Sequence, residues 1–204
     1  MITTLHIRKP LVAVVVAAAA LVTAACGGDD DKSTESTGTT VENPVVSTTV
    51  AASSKATVSG DLSTAFDHIA GYELAELSAS DLQNAREQYQ SEVSGNAAAQ
   101  KAVSDINGRV VSKEGDKVAV VLALSFSPDV ASAPGFHDAF VEGAAGNDSS
   151  PVTLSGQKAK TFTQSDGTEG VVFAKDRLGL LVIGAGGDST QLQDVMSKLI
   201  GNNT

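Results

Sequence analysis

Ten consecutive residues, Lys117 to Phe126 (KVAVVLALSF), show no alternation of apolar and polar side chains. A short, continuous apolar run of this kind is expected of a strand buried on both faces, whereas a strand with one wet face alternates. Any fold open to this chain has to bury that segment. Other strand-like runs surround it. Val110-Val111 precedes it across Glu114-Gly115-Asp116, a tight-turn signal. Val152 to Thr163 carries Val152, Leu154 and Phe162 and is interrupted by Ser155-Gly156. Val171 to Phe173 and Leu178 to Ile183 flank Lys175-Asp176-Arg177, and Ser165-Asp166-Gly167 reads as a hairpin turn. These runs predict about five mostly antiparallel strands.

The clearest helix is the last element. Asp188 stands three places before Gln191, the spacing of a capping box. Leu192, Val195, Met196, Leu199 and Ile200 then recur at helical spacing, and Gly201 is placed to stop the helix. Further helices are predicted for Leu62 to Ile69, Ser80 to Ser94 and Ala97 to Ile106, with a short one after Pro134 that carries Phe136 and Phe140 on one side. Together these elements predict an α+β domain over residues 61–204, with helices packed on one face of the sheet. The element order loosely resembles the small α/β/α domains of the PsbP/Mog1-like group, which also occur on bacterial lipoproteins. That resemblance implies a fold and fixes no function.

The N-terminus reads as an address. Arg8 and Lys9 precede the apolar stretch Leu11 to Val22, and small residues lead into Cys26. A positive start, a short apolar core and a small-residue cut site are the parts of an export signal. A permanent span would need about 20 apolar residues, and here the run gives way to Asp29-Asp30-Asp31. Cys26 is the only cysteine in the chain, so it has no internal partner for a disulfide. The segment LVTAAC, residues 21–26, resembles the lipobox of bacterial lipoproteins, with Thr23 where Leu or Val is usual. The resemblance implies that residues 1–25 are a signal peptide, that the chain is cut before Cys26, and that this cysteine carries diacylglycerol. Two or three acyl chains hold firmly where one exchanges. The expected location is the outer face of the cell membrane.

Residues 26–60 change composition. Ser, Thr, Gly, Asp and Val dominate after the cysteine, and no aromatic residue occurs between Gly27 and Ser59. Such a segment buries too little apolar area to offset its ordering entropy, so a flexible tether with a reach of about 30 Å is expected. The chain holds 14 basic and 24 acidic residues; removing Arg8 and Lys9 with the signal leaves 12 against 24, a net charge of −12. That balance argues against nucleic acid as a partner.

Few residues suggest chemistry. His68 and His137 have no cysteine beside them and no metal-ligand spacing. His137 precedes Asp138, yet adjacent helical residues do not face each other. Gly184-Ala185-Gly186-Gly187-Asp188 joins a strand to a helix, where backbone N–H groups hold anions in other folds. It lacks the lysine of a phosphate-binding loop, and its Asp188 repels an anion. Asp129, Asp138, Glu142 and Asp148 do not have calcium-loop spacing. Pro128 to Pro151 reads as a long small-residue segment, and Phe136 and Phe140 mark a candidate ligand groove between it and the sheet. The sequence therefore predicts no catalytic residues, no metal and no cofactor. It predicts a non-enzymatic binding or accessory module held to the membrane through Cys26, with an unknown protein or an apolar ligand as partner. Two further classes stay open: a carrier of lipid or another apolar molecule in a cavity between sheet and helices, and a surface hydrolase.

Overall fold

Seven strands form one sheet in the computed structural model, which describes Leu62, residues 64–92, Ser94 and residues 97–204. The expected signal peptide, Cys26 and the expected tether lie outside the described residues. The strands are β1 (Glu73–Glu76), β2 (Val103–Lys113), β3 (Asp116–Phe126), β4 (Ser149–Leu154), β5 (Gln157–Thr163), β6 (Glu169–Lys175) and β7 (Leu178–Gly184). They are ordered β1-β2-β3-β7-β6-β5-β4, and every neighbouring pair is antiparallel. The helices are α1 (Ala79–Glu92), α2 (Ala97–Ala102), α3 (Pro128–Ala131), α4 (Phe136–Ala145) and α5 (Ser189–Asn203).

The α+β class holds, but the sheet has seven strands and not about five. The run from Val152 to Thr163 is two strands, because Ser155 and Gly156 take φ values of 47° and 74° and reverse the chain between Leu154 and Gln157. Positive φ at both central residues matches the twist of the strands that a tight hairpin joins. β1 has only four residues and one partly buried apolar side chain packed on the core, Leu74, which is too little to leave a periodic signal. The helix expected from Ala97 to Ile106 ends at Ala102. From Val103 onward the chain pairs with β3, and that ladder overrides the local helical pattern. Leu62, Ala65, Phe66 and Ile69 are buried at helical spacing, yet their described neighbourhood consists of turns and bends.

Helices cover both faces of the sheet, which corrects the expectation of one. β3 lies against β7, paired from Ala119 with Gly184 to Ser125 with Leu178. Both strands are apolar at odd and even positions, so each face needs a cover. On one face Val120, Leu122, Leu124, Leu181 and Ile183 meet Phe136, Phe140 and Ala144 of α4 and Tyr89 of α1. On the other, Val121, Ala123, Leu180 and Val182 meet Leu192, Val195, Met196, Leu199 and Ile200 of α5, together with Leu62, Phe66 and Ile69. Phe126 fixes α4 in place. Its ring stands edge-on to Phe136 at 4.8 Å and to Phe140 at 4.9 Å between centroids. Gly179 makes room for that ring, since a Cβ there would lie 2.6 Å from its Cζ.

The capping box of α5 is present: the Asp188 carboxylate accepts from the Gln191 N–H at 2.9 Å, and the Gln191 side chain accepts from the Asp188 N–H at 3.1 Å. The helix does not stop at Gly201 and runs on to Asn203. Tertiary bonds hold the last turn. Asn203 Nδ2 donates to the Ala65 carbonyl at 3.1 Å, and Asn202 Nδ2 donates to the His68 carbonyl.

The open edges are guarded. β1 pairs with β2 only at Arg109 to Ser112, which leaves the first half of β2 to α1. Arg86 donates to the Ile106 carbonyl at 2.9 Å and to Asp105 at 3.1 Å. The buried Tyr89 hydroxyl is hydrogen-bonded to the Val103 backbone. At the far edge, the pair that closes a two-residue hairpin is hydrogen-bonded, so Leu154, Val152 and Ser150 turn their backbone groups toward β5 while Pro151 faces outward. The Asp148 carbonyl, which accepts from the Thr163 N–H at 3.1 Å, continues that alternation. Proline offers no donor to an incoming strand. Pro151→Val should restore one and raise self-association, seen as a concentration-dependent rise in mass by sedimentation velocity. A variant that sediments like its parent at every concentration would contradict this role.

Candidate functional site

α4 crosses the sheet above β5 and β6. Phe136, Phe140, Ala144 and Ala145 form its buried stripe, spaced for one helical face. Its flank leaves a groove of about 470 Å³ against the sheet. His137, Asp138, Val141 and Glu142 line it from the helix, and Pro151, Lys158, Lys160, Ala174 and Lys175 are among its lining residues on the strands. The volume lies within the range of about 300–1,000 Å³ usual for small-molecule sites.

Polar contacts give the groove a fixed shape. Lys160, only 18 % exposed, is ion-paired with Glu142 and lies 3.5 Å from the Ser149 hydroxyl. The pair ties α4 to β5. His137 Nε2 lies 2.7 Å from the Asp176 carbonyl oxygen. A carbonyl oxygen only accepts, so Nε2 carries the hydrogen and His137 ties α4 to the turn between β6 and β7. Asp176 holds a φ of 49° in that turn.

The residues singled out by sequence fall in several places. Phe136 and Phe140 are buried in the core and do not line the groove, which opens on the neighbouring side of the same helix. Pro128 to Pro151 is largely α3, α4 and the start of β4, not a loop. His137, Asp138 and Glu142 do share the groove, whereas His68 is exposed near the end of α5. Cys26 lies outside the described residues. In the glycine-rich connection the N–H groups of Ala185 and Gly187 both reach the Val118 carbonyl at 2.9 Å, and the Asp188 N–H reaches the Gln191 side chain at 3.1 Å. Among the described residues, no three His, Cys, Asp or Glu side chains come together as a metal site, and no helix is long and apolar enough to cross a membrane.

Sequence reasoning missed the lysines. Lys158 and Lys160 are two apart on β5 and share a face, a spacing that is visible in the sequence. Their approach to α4 depends on a chain reversal and a crossover that no local pattern encodes. A smaller groove of about 130 Å³ lies between α1 and β2, lined by Arg86, Tyr89 and Ile106 among others.

A second polar cluster lies on the opposite face of the sheet. The Tyr72 hydroxyl donates to Asp194 Oδ2 at 2.9 Å, Lys198 Nζ donates to the same oxygen at 2.7 Å, and Lys198 sits 4.9 Å above the Tyr72 ring. Burial, the bond to Asp194 and its negative charge push the Tyr72 hydroxyl up to about 12. Burial alone would raise the Asp194 carboxyl. The hydrogen bonds from Lys198 and Tyr72 outweigh it and hold the group below its usual value. This cluster fastens the segment before β1 to α5, and its role is structural.

Compared with protein-family models, with curated proteins and with solved structures, the chain matches none of them.

A carboxyl held low in the folded state stabilises it above the unfolded value of about 4, and that stabilisation is lost as pH falls through the lower folded value. The stability difference between the parent and Asp194→Asn, from urea titrations at several pH values, should be present at pH 7 and shrink below about pH 4. A size of about 0.2–1 kcal/mol is expected for a pair this exposed. A difference independent of pH would contradict the assignment.

Proposed function

We propose that this chain is a lipid-anchored surface protein whose domain binds a ligand without chemistry of its own. The observation that carries the reading is the lone Cys26 at the end of LVTAAC, after a positive start and a 12-residue apolar run. Cleavage before Cys26 and lipidation of its sulfur hold the domain on the extracytoplasmic side of the cell membrane, and residues 27–60 act as the tether. The fold supports this arrangement. The described chain begins at Leu62 on the face covered by α5, and the groove lies beside α4 on the other face. A tether attached at that point leaves the groove open to solvent.

The groove also bears on the competing classes. Its α4 side and the facing strand carry five ionisable side chains, His137, Asp138, Glu142, Lys158 and Lys160. A wholly apolar cargo would strip water from them without replacing it, which is costly. A polar or charged ligand suits the site better than the apolar cargo of a carrier. For a hydrolase, the groove brings a histidine beside two carboxylates. Its lining supplies no hydroxyl or thiol nucleophile, His137 Nε2 is occupied by the Asp176 carbonyl, and Glu142 is neutralised by Lys160. These contacts favour binding over turnover.

Intact-mass analysis of the membrane-extracted protein tests the anchor. The expected mature chain starts at Cys26 and carries the added mass of diacylglycerol, and Cys26→Ser leaves the protein unprocessed or releases it to the soluble fraction. A mature chain that starts elsewhere with a bare thiol, or unchanged retention and trimming of the variant, would overturn the reading.

A further inference from the structure

We infer that the open end of the groove beside α4 takes a small zwitterion of the amino-acid type, with its ammonium on Asp138, its carboxylate on Lys158 and an apolar side chain on the groove wall. This rests on the binding-module reading above and adds the chemical class of the ligand.

The facing of the strands is the first support. Phe162 and Val172 pack with α4, while Ala159, Val171 and Phe173 pack with α5. Side chains alternate along a strand, so Lys158 and Lys160 of β5 and Ala174 of β6 turn toward α4, and Lys175 follows Phe173 to the other face. On the groove side two lysines then stand against the two carboxylates of α4, Asp138 and Glu142. The groove is neutral as a whole and divided by sign across its width, negative on the helix and positive on the strand.

Spacing is the second. β5 and β6 are antiparallel with Lys160 opposite Val172, so the turn at Asp176 lies beyond Lys158. His137 reaches that turn and Glu142 reaches Lys160, which means that α4 runs in the same direction as β5. Four residues of helix, from Asp138 to Glu142, cover about 6 Å. Two residues of strand, from Lys158 to Lys160, cover about 6.6 Å. One step thus leads from the closed pair of Glu142 and Lys160 to Asp138 and Lys158. That second pair of charges is open: both residues are exposed, and neither has an ion-pair partner among the described residues. The space of about 470 Å³ lies at this end, where its helix side is lined from His137 to Glu142.

A zwitterion matches what the open pair lacks. It brings an ammonium and a carboxylate together, adds no net charge, and offers a partner to both Asp138 and Lys158. A singly charged ligand would serve one of them and strip water from the other. The two charges of an amino acid are already fixed side by side, so bridging the gap costs less ordering than closing it with the protein's own long side chains. Val141 on the helix and Pro151 and Ala174 on the strands place apolar surface beside the charges, which seats the ligand's side chain.

The test is an amide chemical-shift titration of the mature chain carrying Cys26→Ser with four probes. Leucine is the zwitterion, isocaproate is leucine without its ammonium, isoamylamine is leucine without its carboxylate, and glycine lacks the apolar body. Leucine should shift the amides of Val141, Lys158 and Ala174 at millimolar concentration, and the other three should bind at least about tenfold more weakly. Asp138→Asn and Lys158→Gln should each weaken leucine about tenfold without lowering the melting temperature, whereas Lys175→Gln, on the opposite face, should leave it unchanged. Asp138→Asn should also bring isocaproate level with leucine, and Lys158→Gln should do the same for isoamylamine. Isocaproate or isoamylamine binding the parent as tightly as leucine would overturn the zwitterion class and leave the binding module standing. Glycine binding as tightly would overturn the apolar contact. No shift with any probe would overturn the groove as the ligand site, while the anchoring of the protein stands or falls on its own mass analysis.

Discussion

The pairing of β3 with β7 imposes the architecture. Both strands present large apolar side chains up and down, so neither face of the sheet centre tolerates water. Burying a Leu, Val or Phe side chain contributes about 1.5–3 kcal/mol, and the pair presents ten such residues together with Ile183. Two covers follow of necessity. The chain supplies one from the connection between β3 and β4, which carries α3 and α4, and the other from the segments at the two ends of the described chain. Outer strands can then be half polar, and they are: β2 and β5 mix buried and partly exposed positions, while β3 from Val118 to Phe126 and β7 from Leu178 to Ile183 are buried throughout.

Polar contacts finish what apolar burial starts. The end of α5 is fixed by Asn202 and Asn203 to the segment before β1, and Tyr72, Asp194 and Lys198 repeat the attachment at the end of that segment. On the other face, α4 is held by its phenylalanines and steered by His137 and by the ion pair of Glu142 with Lys160. The groove is a consequence of this seating. Where β5 and β6 run past the buried stripe of α4, their side chains on that face change from Phe162 and Val172 to Lys160, Lys158 and Ala174, and the space is left open to water.

Much of this was legible in the residues. The apolar run 117–126, the two-residue turns, α1, and the capped helix at the C-terminus appear where local pattern puts them. Local pattern failed where a partner decided the outcome. Val103 to Ile106 extends because β3 offers it a ladder, and Leu62 to Ile69 keeps helical spacing of its buried residues without forming a helix. The double cover was implicit in the unalternating run at 117–126, since a strand apolar on both sides requires it. Of the candidate site, the sequence indicated the right segment and the wrong residues. Phe136 and Phe140 are the anchors of α4, and aromatic side chains at helical spacing serve a core more often than a groove. The lysines became neighbours of the helix only through a crossover that local sequence does not encode.

Native-state hydrogen exchange followed residue by residue tests the central pair most directly. The amides of Val120 to Leu124 and Leu180 to Val182 should be the slowest in the domain and exchange only with global unfolding, with β1, β4 and α1 opening at lower free energy. Faster exchange in β3 and β7 than in α5 or the edge strands would contradict the account.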